Sequence, residues 1–207
     1  MFLRGVRNAG LPAFVSAFKV PPVGQNGREE MCSYQKTPVI PTPRLRLRPL
    51  TPSDAPRIAQ YANDFDVAKM TTRLPHPYAL DDAKSFVERV RDPLVEEAVF
   101  GVESPEEGLI GAVGFHAGDN LNAPEFGYWI GKPWWGKGYA TEAARAALKW
   151  VKTGWGRKVV FAGHFADNPA SAGVLIKSGF LYTGDVKPRH SAARGEAAPT
   201  RMMVWLA

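Results

Sequence analysis

A chain of 207 residues, 45% apolar and 22% charged, has the size and composition of one soluble domain with a substantial core. Its net charge of +6 lies entirely in the first fifty residues, where eight Lys/Arg face only Glu29 and Glu30, and the other eighteen basic residues are matched by eighteen acidic ones. A neutral body excludes a dedicated nucleic-acid domain, the single Cys32 excludes an internal disulfide, and no run approaches the roughly 18 apolar residues of a membrane helix. The expected setting is a reducing cytoplasm, with no membrane partner. His76, His116, His164 and His190 are scattered without metal-ligand spacing, so no metal is expected.

Residues 1–41 mix Arg, Gly and Pro with short apolar runs that hold no period. They read as a flexible leader, or as an over-extended frame with initiation at Met31. The domain proper is expected over 42–207. Leu45 and Leu47 alternate with Arg44, Arg46 and Arg48, which predicts a half-buried first strand. Thr51-Pro52-Ser53-Asp54 then opens a helix reaching about Asn63, with Thr51 as its N-cap and Pro52 in its first turn. A second helical stretch is expected near 64–72, a Pro-broken loop at 74–78, and an amphipathic helix from Leu80 to Val90. Three strands follow at 98–102, 109–115 and 126–130, separated by turn-rich segments including Gly118-Asp119-Asn120, as in an antiparallel meander. His116, ending the middle strand, is expected to face solvent.

The most informative stretch comes next. Glu125 to Ile130 is an aromatic-rich run without polar alternation, hence a buried strand. Beyond Gly131–Tyr139, helix formers take over, and Ala140, Ala144, Ala147, Leu148 and Val151 share one stripe until Gly154 and Gly156. A glycine-rich turn thus feeds a helix whose first N–H groups have no partner and whose dipole is positive there, a nest suited to a phosphate or diphosphate. Two familiar phosphate loops fail. Gly138 stands where a Walker A loop needs Ser or Thr, and Thr141 stands where a dinucleotide fingerprint needs its third glycine.

Val159–Ala162 reads as another buried strand, so strand, helix and strand imply a parallel crossover. Asn168 caps the next helix, with Pro169 in its first position. Phe180–Tyr182 and Met202–Leu206 read as closing strands around a polar loop holding His190, Ser191 and Arg194.

Trp135-Gly136-Lys137-Gly138-Tyr139-Ala140 resembles the acyl-CoA diphosphate loop of the GNAT acetyltransferases, with Trp135 in place of the usual Gln or Arg. The longer string through Thr141, Glu142 and Ala143 resembles the branch of the ribosomal-protein N-terminal acetyltransferases. Asn168, Ser171, Leu175 and Gly179-Phe180 are similar to a second signature of that branch, and Arg-Leu-Arg-Leu-Arg-Pro-Leu (44–50) to its opening.

The resemblance implies an α/β (α+β) fold: a mixed, mostly antiparallel sheet with a splayed parallel strand pair, flanked by helices. It implies acetyl-CoA as co-substrate, its diphosphate on Gly136, Lys137, Gly138, Tyr139, Ala140 and Thr141. Trp129 and Ile130 would follow the pantetheine, and Trp135, Asn168 and Ser171 would also contact the carrier. The activity implied is transfer of acetyl to a primary amine, a protein N-terminus or a small molecule, by direct attack in a ternary complex. The protein is then a monomer or homodimer. Glu125 is the candidate base, set against a solvated strand-end carboxylate. Ser171 is the candidate proton donor, set against a first-turn helix residue. Leu175 stands where many relatives carry a tyrosine acid. His190 and Arg194 are candidates for meeting a carboxylate on the acceptor. The competing readings are a non-catalytic acyl-CoA-binding regulatory module and, further off, an NTP-binding protein.

Overall fold

The computed structural model describes residues 37–95, 97–118 and 123–207. Met31, Cys32, most of the leader and the Asp119-Asn120 turn lie outside them. The elements in order are β1 (Ile40–Pro41), β2 (Arg46–Arg48), α1 (Ala55–Ala62), α2 (Phe65–Ala68), α3 (Leu80–Arg91), β3 (Ala98–Ser104), β4 (Gly108–Ala117) and β5 (Pro124–Ile130). Then come α4 (Tyr139–Thr153), β6 (Val159–Phe165), α5 (Pro169–Lys177), β7 (Leu181–Ser191) and β8 (Glu196–Leu206). The strands make one eight-stranded sheet in the order β1-β2-β3-β4-β5-β6-β8-β7. Every neighbouring pair is antiparallel except β5 and β6. This is the mixed sheet with a parallel pair that the sequence implies.

Side chains alternate across a strand, so adjacent residues feed different layers. Ile110 joins a core with Phe100, Phe115, Leu148 and Met203, covered by α4. Its neighbour Leu109 joins a second core with Leu50, Ile58 and Val87, covered by α1 and α3. The stripe predicted for α4 is the buried one, and Ala143 adds to it.

Two expectations are corrected. The second helical stretch ends at Ala68 and the chain goes on in turns, because Arg194 Nε, Ser191 Oγ and Ala192 N donate to the carbonyls of Lys69, Thr71 and Thr72 that a longer helix would have used. The polar loop expected before Met202 is mostly strand. β7 runs on through His190 to Ser191, and β8 starts at Glu196. Because β7 is a solvated edge with nearly every residue exposed, it carries no hydrophobic period to read. At the other edge of the sheet, Ile40 and Pro41 pair with Leu47 and Arg46.

The entry to α1 depends on one carboxylate. Asp54 is buried, accepts from the amide and hydroxyl of Thr51, and pairs with both terminal nitrogens of Arg48 at 2.8 Å. Burial works against its charge, but the hydrogen bonds from Arg48 and Thr51 outweigh burial and hold the carboxyl below its ordinary value. Asp54→Asn is expected to lower the unfolding free energy by about 2 kcal/mol, measured by urea denaturation at pH 7, since it leaves the half-buried Arg48 guanidinium with Glu103 as its one remaining carboxylate. A depressed carboxyl stabilises fully above its unfolded-state value of about 3.9 and loses that stabilisation as pH falls through the lower folded-state value. The gap between wild type and variant therefore closes in acid and stays constant through neutrality.

Candidate active site

β5 and β6 pair only at Glu125 with Phe161 and Phe126 with Ala162. After Phe126 they part. β6 stays paired with β8 to Phe165, and β5 stays paired with β4 to Ile130, so the edges of Gly127–Ile130 and Gly163–Phe165 that face each other have no ladder between them. The gap opens into a cavity of about 640 Å³, a volume ordinary for a small-molecule site.

The glycine turn lies at its mouth. Gly136 and Gly138 both have positive φ, +75° and +79°, which glycine adopts without steric cost. The second opens α4 directly. No amide from Gly136 to Thr141 donates to another group among the described residues. The turn is fixed from behind. Glu142, in the first turn of α4, accepts from Thr42 Oγ1 at 2.7 Å, the Arg44 amide at 2.9 Å and Arg44 Nε at 2.7 Å. Arg44 also donates to the Lys137 carbonyl at 3.0 Å. Burial opposes the Glu142 charge, yet the hydrogen bonds from Thr42 and Arg44 hold its carboxyl below the ordinary value. Trp135 donates its indole N–H to Ile130 O at 2.6 Å, closing strand end onto turn.

Of the sequence-predicted residues, Trp129, Ile130, Trp135, Gly136, Gly138, Tyr139, Ala140, Thr141, Asn168 and Ser171 all line this cavity. Lys137 does not; its carbonyl faces Arg44. Asn168 caps α5 with its side-chain oxygen on the Ser171 amide at 3.0 Å. Ser171 Oγ accepts from the Tyr128 hydroxyl at 2.8 Å, across the gap from β5. Burial pushes that hydroxyl's pKa up to about 12, against the lowering effect of Ser171, so it stays a donor at neutral pH. Tyr128 went unread because its partner lies on an element 43 residues away. Its place in the aromatic run was the only local sign.

Glu125 lies outside this cavity, in a small recess it shares with Tyr128, Ser171, Thr72 and Arg189. It is buried, and Arg189 of β7 donates to its Oε1 at 2.6 Å, so it is not the solvated strand-end group of the alternative reading. His116, directly opposite Glu125 in the β4–β5 ladder, is half-buried instead of facing solvent. On the α1–α3 face a second cleft of about 410 Å³ reaches the same point. Tyr78, Phe86, Trp129, Leu74 and His116 line it, with Glu97 held by both Arg73 and Arg89 at its rim. Arg194 is engaged within the protein. It binds Asp167 through two nitrogens and the Lys69 carbonyl through a third.

The acetyltransferase (GNAT) domain family matches residues 44–181. The uncharacterized N-acetyltransferase YoaA of Bacillus subtilis is 29% identical over 158 residues, 71% of this chain and 85% of that protein. The ribosomal-protein-S5-alanine acetyltransferase of Vibrio fischeri superposes with a TM-score of 0.67 at 21% identity, over 81% of this chain and 96% of its own. The spermidine N-acetyltransferase of Vibrio cholerae, in complex with CoA and spermine, does so with 0.67 at 22% identity, over 80% and 96%. The two structures share the fold, and the domain match carries the assignment. The chain belongs to the GNAT acetyltransferase family and is an N-acyltransferase.

Proposed function

We propose that the chain transfers acetyl from acetyl-CoA to a primary amine by direct attack within a ternary complex. The observation that carries this is the row of amides from Gly136 to Thr141, without acceptors among the described residues, at the mouth of the gap between β5 and β6. A helix N-terminus preceded by two left-handed glycines offers the carrier's diphosphate several donors and the positive end of a dipole. The unpaired edge of Gly127–Ile130 supplies backbone groups for the amide-bearing pantetheine arm, as β6 would have done. The thioester then comes to the level of Tyr128 and Ser171. Ser171 is the donor to the departing thiolate, and Tyr128, already donating to it, replenishes the proton.

The amine enters from the α1–α3 face. It bonds to the thioester carbon as the carbon–sulfur bond breaks, and the proton lost by nitrogen balances the one gained by sulfur. Glu125 draws that proton, directly or through an intermediary. The acceptor is a protein N-terminus or a small-molecule amine, and the cleft disfavours polycations. Its carboxylates are already engaged, Glu97 by two arginines and Asp82 by the Ala79 amide, and Glu125 in the adjoining recess is held by Arg189.

Titration calorimetry with CoA tests the carrier site. Binding is expected without magnesium. Gly136→Ala is expected to weaken it at least about tenfold while the protein stays folded. An added Cβ there meets nothing of the protein within 4 Å, so the strain is only about 1–2 kcal/mol and the methyl intrudes on the ligand. A CoA-release assay over Ala-, Ser- and Met-initiated peptides, 2-phenylethylamine and spermidine tests the acceptor side. Spermidine is expected to show kcat/KM about tenfold or more below the best uncharged-side-chain acceptor, the worth of one unmet ion pair. Glu125→Gln is expected to reduce kcat about tenfold or more at pH 7 with the CoA Kd held within twofold.

A further inference from the structure

Nothing in the turn or the carrier cavity says which atom first takes the amine's proton. The answer lies on the opposite face of the sheet, on a residue read from sequence as a solvent-facing strand end. His116 Nδ1 lies 3.0 Å from the carbonyl oxygen of Ala117. A carbonyl only accepts, so Nδ1 carries the hydrogen and Nε2 holds the lone pair. Nε2 has no hydrogen-bond partner among the described residues.

Its position is specific. A Cβ built on Gly127 would stand 3.6 Å from Nε2, its nearest neighbour there. Gly127 is the first residue of β5 beyond the last β5–β6 pair. The basic nitrogen therefore overlooks, across a bare glycine, the point where the parallel strands part and where the acetyl group arrives. His116 also lines the acceptor cleft, the Glu125 recess and the outer recess around Arg189, and is where the three converge.

We infer that His116 is the general base of the transfer, with Nε2 taking the proton from the attacking amine and Glu125 stabilising the imidazolium that forms. This rests on the acetyl-transfer reading above and names the intermediary left open there. As nitrogen bonds to the carbonyl carbon it becomes cationic, and one of its protons passes to Nε2. The carbon–sulfur bond breaks, the thiolate takes a proton from Ser171, which regains one from Tyr128 and through it from solvent, and His116 returns its own to solvent.

The charged groups around the ring fit a base that is neutral at rest. Burial and the Arg73 guanidinium disfavour the imidazolium. The Ala117 carbonyl, Glu125 and Glu97 favour it, and the net effect holds the ring below its ordinary value. Arg189, Lys187 and His190 of β7 line the outer recess on the same side. His116 is thus unprotonated at pH 7 and able to accept. Glu125, directly opposite in the ladder, is the charge that the imidazolium meets once the ring becomes cationic.

The test uses the full chain with acetyl-CoA and the best amine of the panel. His116→Gln is expected to lower kcat about 100-fold at pH 7 with the CoA Kd within twofold, the usual range for losing a general base. Imidazole is expected to restore part of the rate of His116→Ala. The wild-type acid limb should fall below pH 6.5 and vanish in His116→Gln. Arg73→Gln should move it upward by removing a charge that opposes the imidazolium. Long-range proton–nitrogen NMR of the free protein should show His116 as the Nδ1–H tautomer at pH 7.5. A kcat within threefold of wild type, an acid limb unmoved by either variant, or an Nε2–H tautomer would each overturn the assignment. If CoA fails to bind the wild type, the carrier reading fails instead, while the NMR spectrum still judges His116.

Discussion

Two residue pairs, Glu125 with Phe161 and Phe126 with Ala162, are the whole of the parallel ladder between β5 and β6. Everything functional in the molecule follows from that ladder being so short. A parallel pair continued to Ile130 would satisfy the backbone groups of Gly127 to Ile130 and leave no gap. The strands are instead held apart by their other partners, β4 on one side and β8 on the other, both of which stay paired well past the fork. The crossover helix α4 then begins at the mouth of the opening, and its first residues line the cavity there with no acceptors for their amides among the described residues. Unsatisfied backbone in a half-buried place is unfavourable unless water or a ligand takes the hydrogen bonds, so the fork is a standing demand for a polar, extended guest.

The turn that meets that guest has little rigidity of its own, since its two glycines have positive φ and no side chains. Its order comes from Glu142. One carboxylate binds the Thr42 hydroxyl and both the amide and guanidinium of Arg44, and Arg44 returns to the Lys137 carbonyl. A negative side chain in the first turn also complements the helix dipole. The clamp therefore stabilises the helix start and holds the turn beside the cavity, its amides without acceptors among the described residues.

How much of this was legible in the sequence depended on distance along the chain. The strand, the turn and the stripe of α4 lie within thirty residues and announce themselves by local rules, as does Asn168, whose capping role needs only the Ser171 amide. Contacts that close the site across the fold left no local mark. The Tyr128–Ser171 bond spans 43 positions, Glu125–Arg189 spans 64 and Thr42–Glu142 spans 100. β7 was misread for a different reason: an edge strand wet on both faces has no hydrophobic period, and only its ladder with β8 defines it. His116 was misjudged because strand-end position predicts exposure only if nothing packs over the end, and here the segment bearing Arg73 does.

The two halves of the proposed reaction lie on opposite faces of one sheet, which raises the question of what keeps them in register. Tyr128 and Ser171 pack on the α4 side, whereas His116, Trp129 and the aromatic cleft belong to the side of α1 and α3. The connection runs through Arg194. Its guanidinium binds Asp167, next to the Asn168 cap of α5, and the Lys69 carbonyl at the start of the segment that carries Thr71, Thr72 and Arg73 past His116. It also lies over the Phe165 ring at 4.7 Å, at the end of β6. Ser191 and Ala192 of the same turn fix the Thr71 and Thr72 carbonyls. The turn between β7 and β8 thus ties the segment before α5 to the chain that walls the cleft on the α1–α3 face. The tie runs outside the sheet's ladders, and its Arg194–Asp167 part is a charge-assisted pair, short and directional.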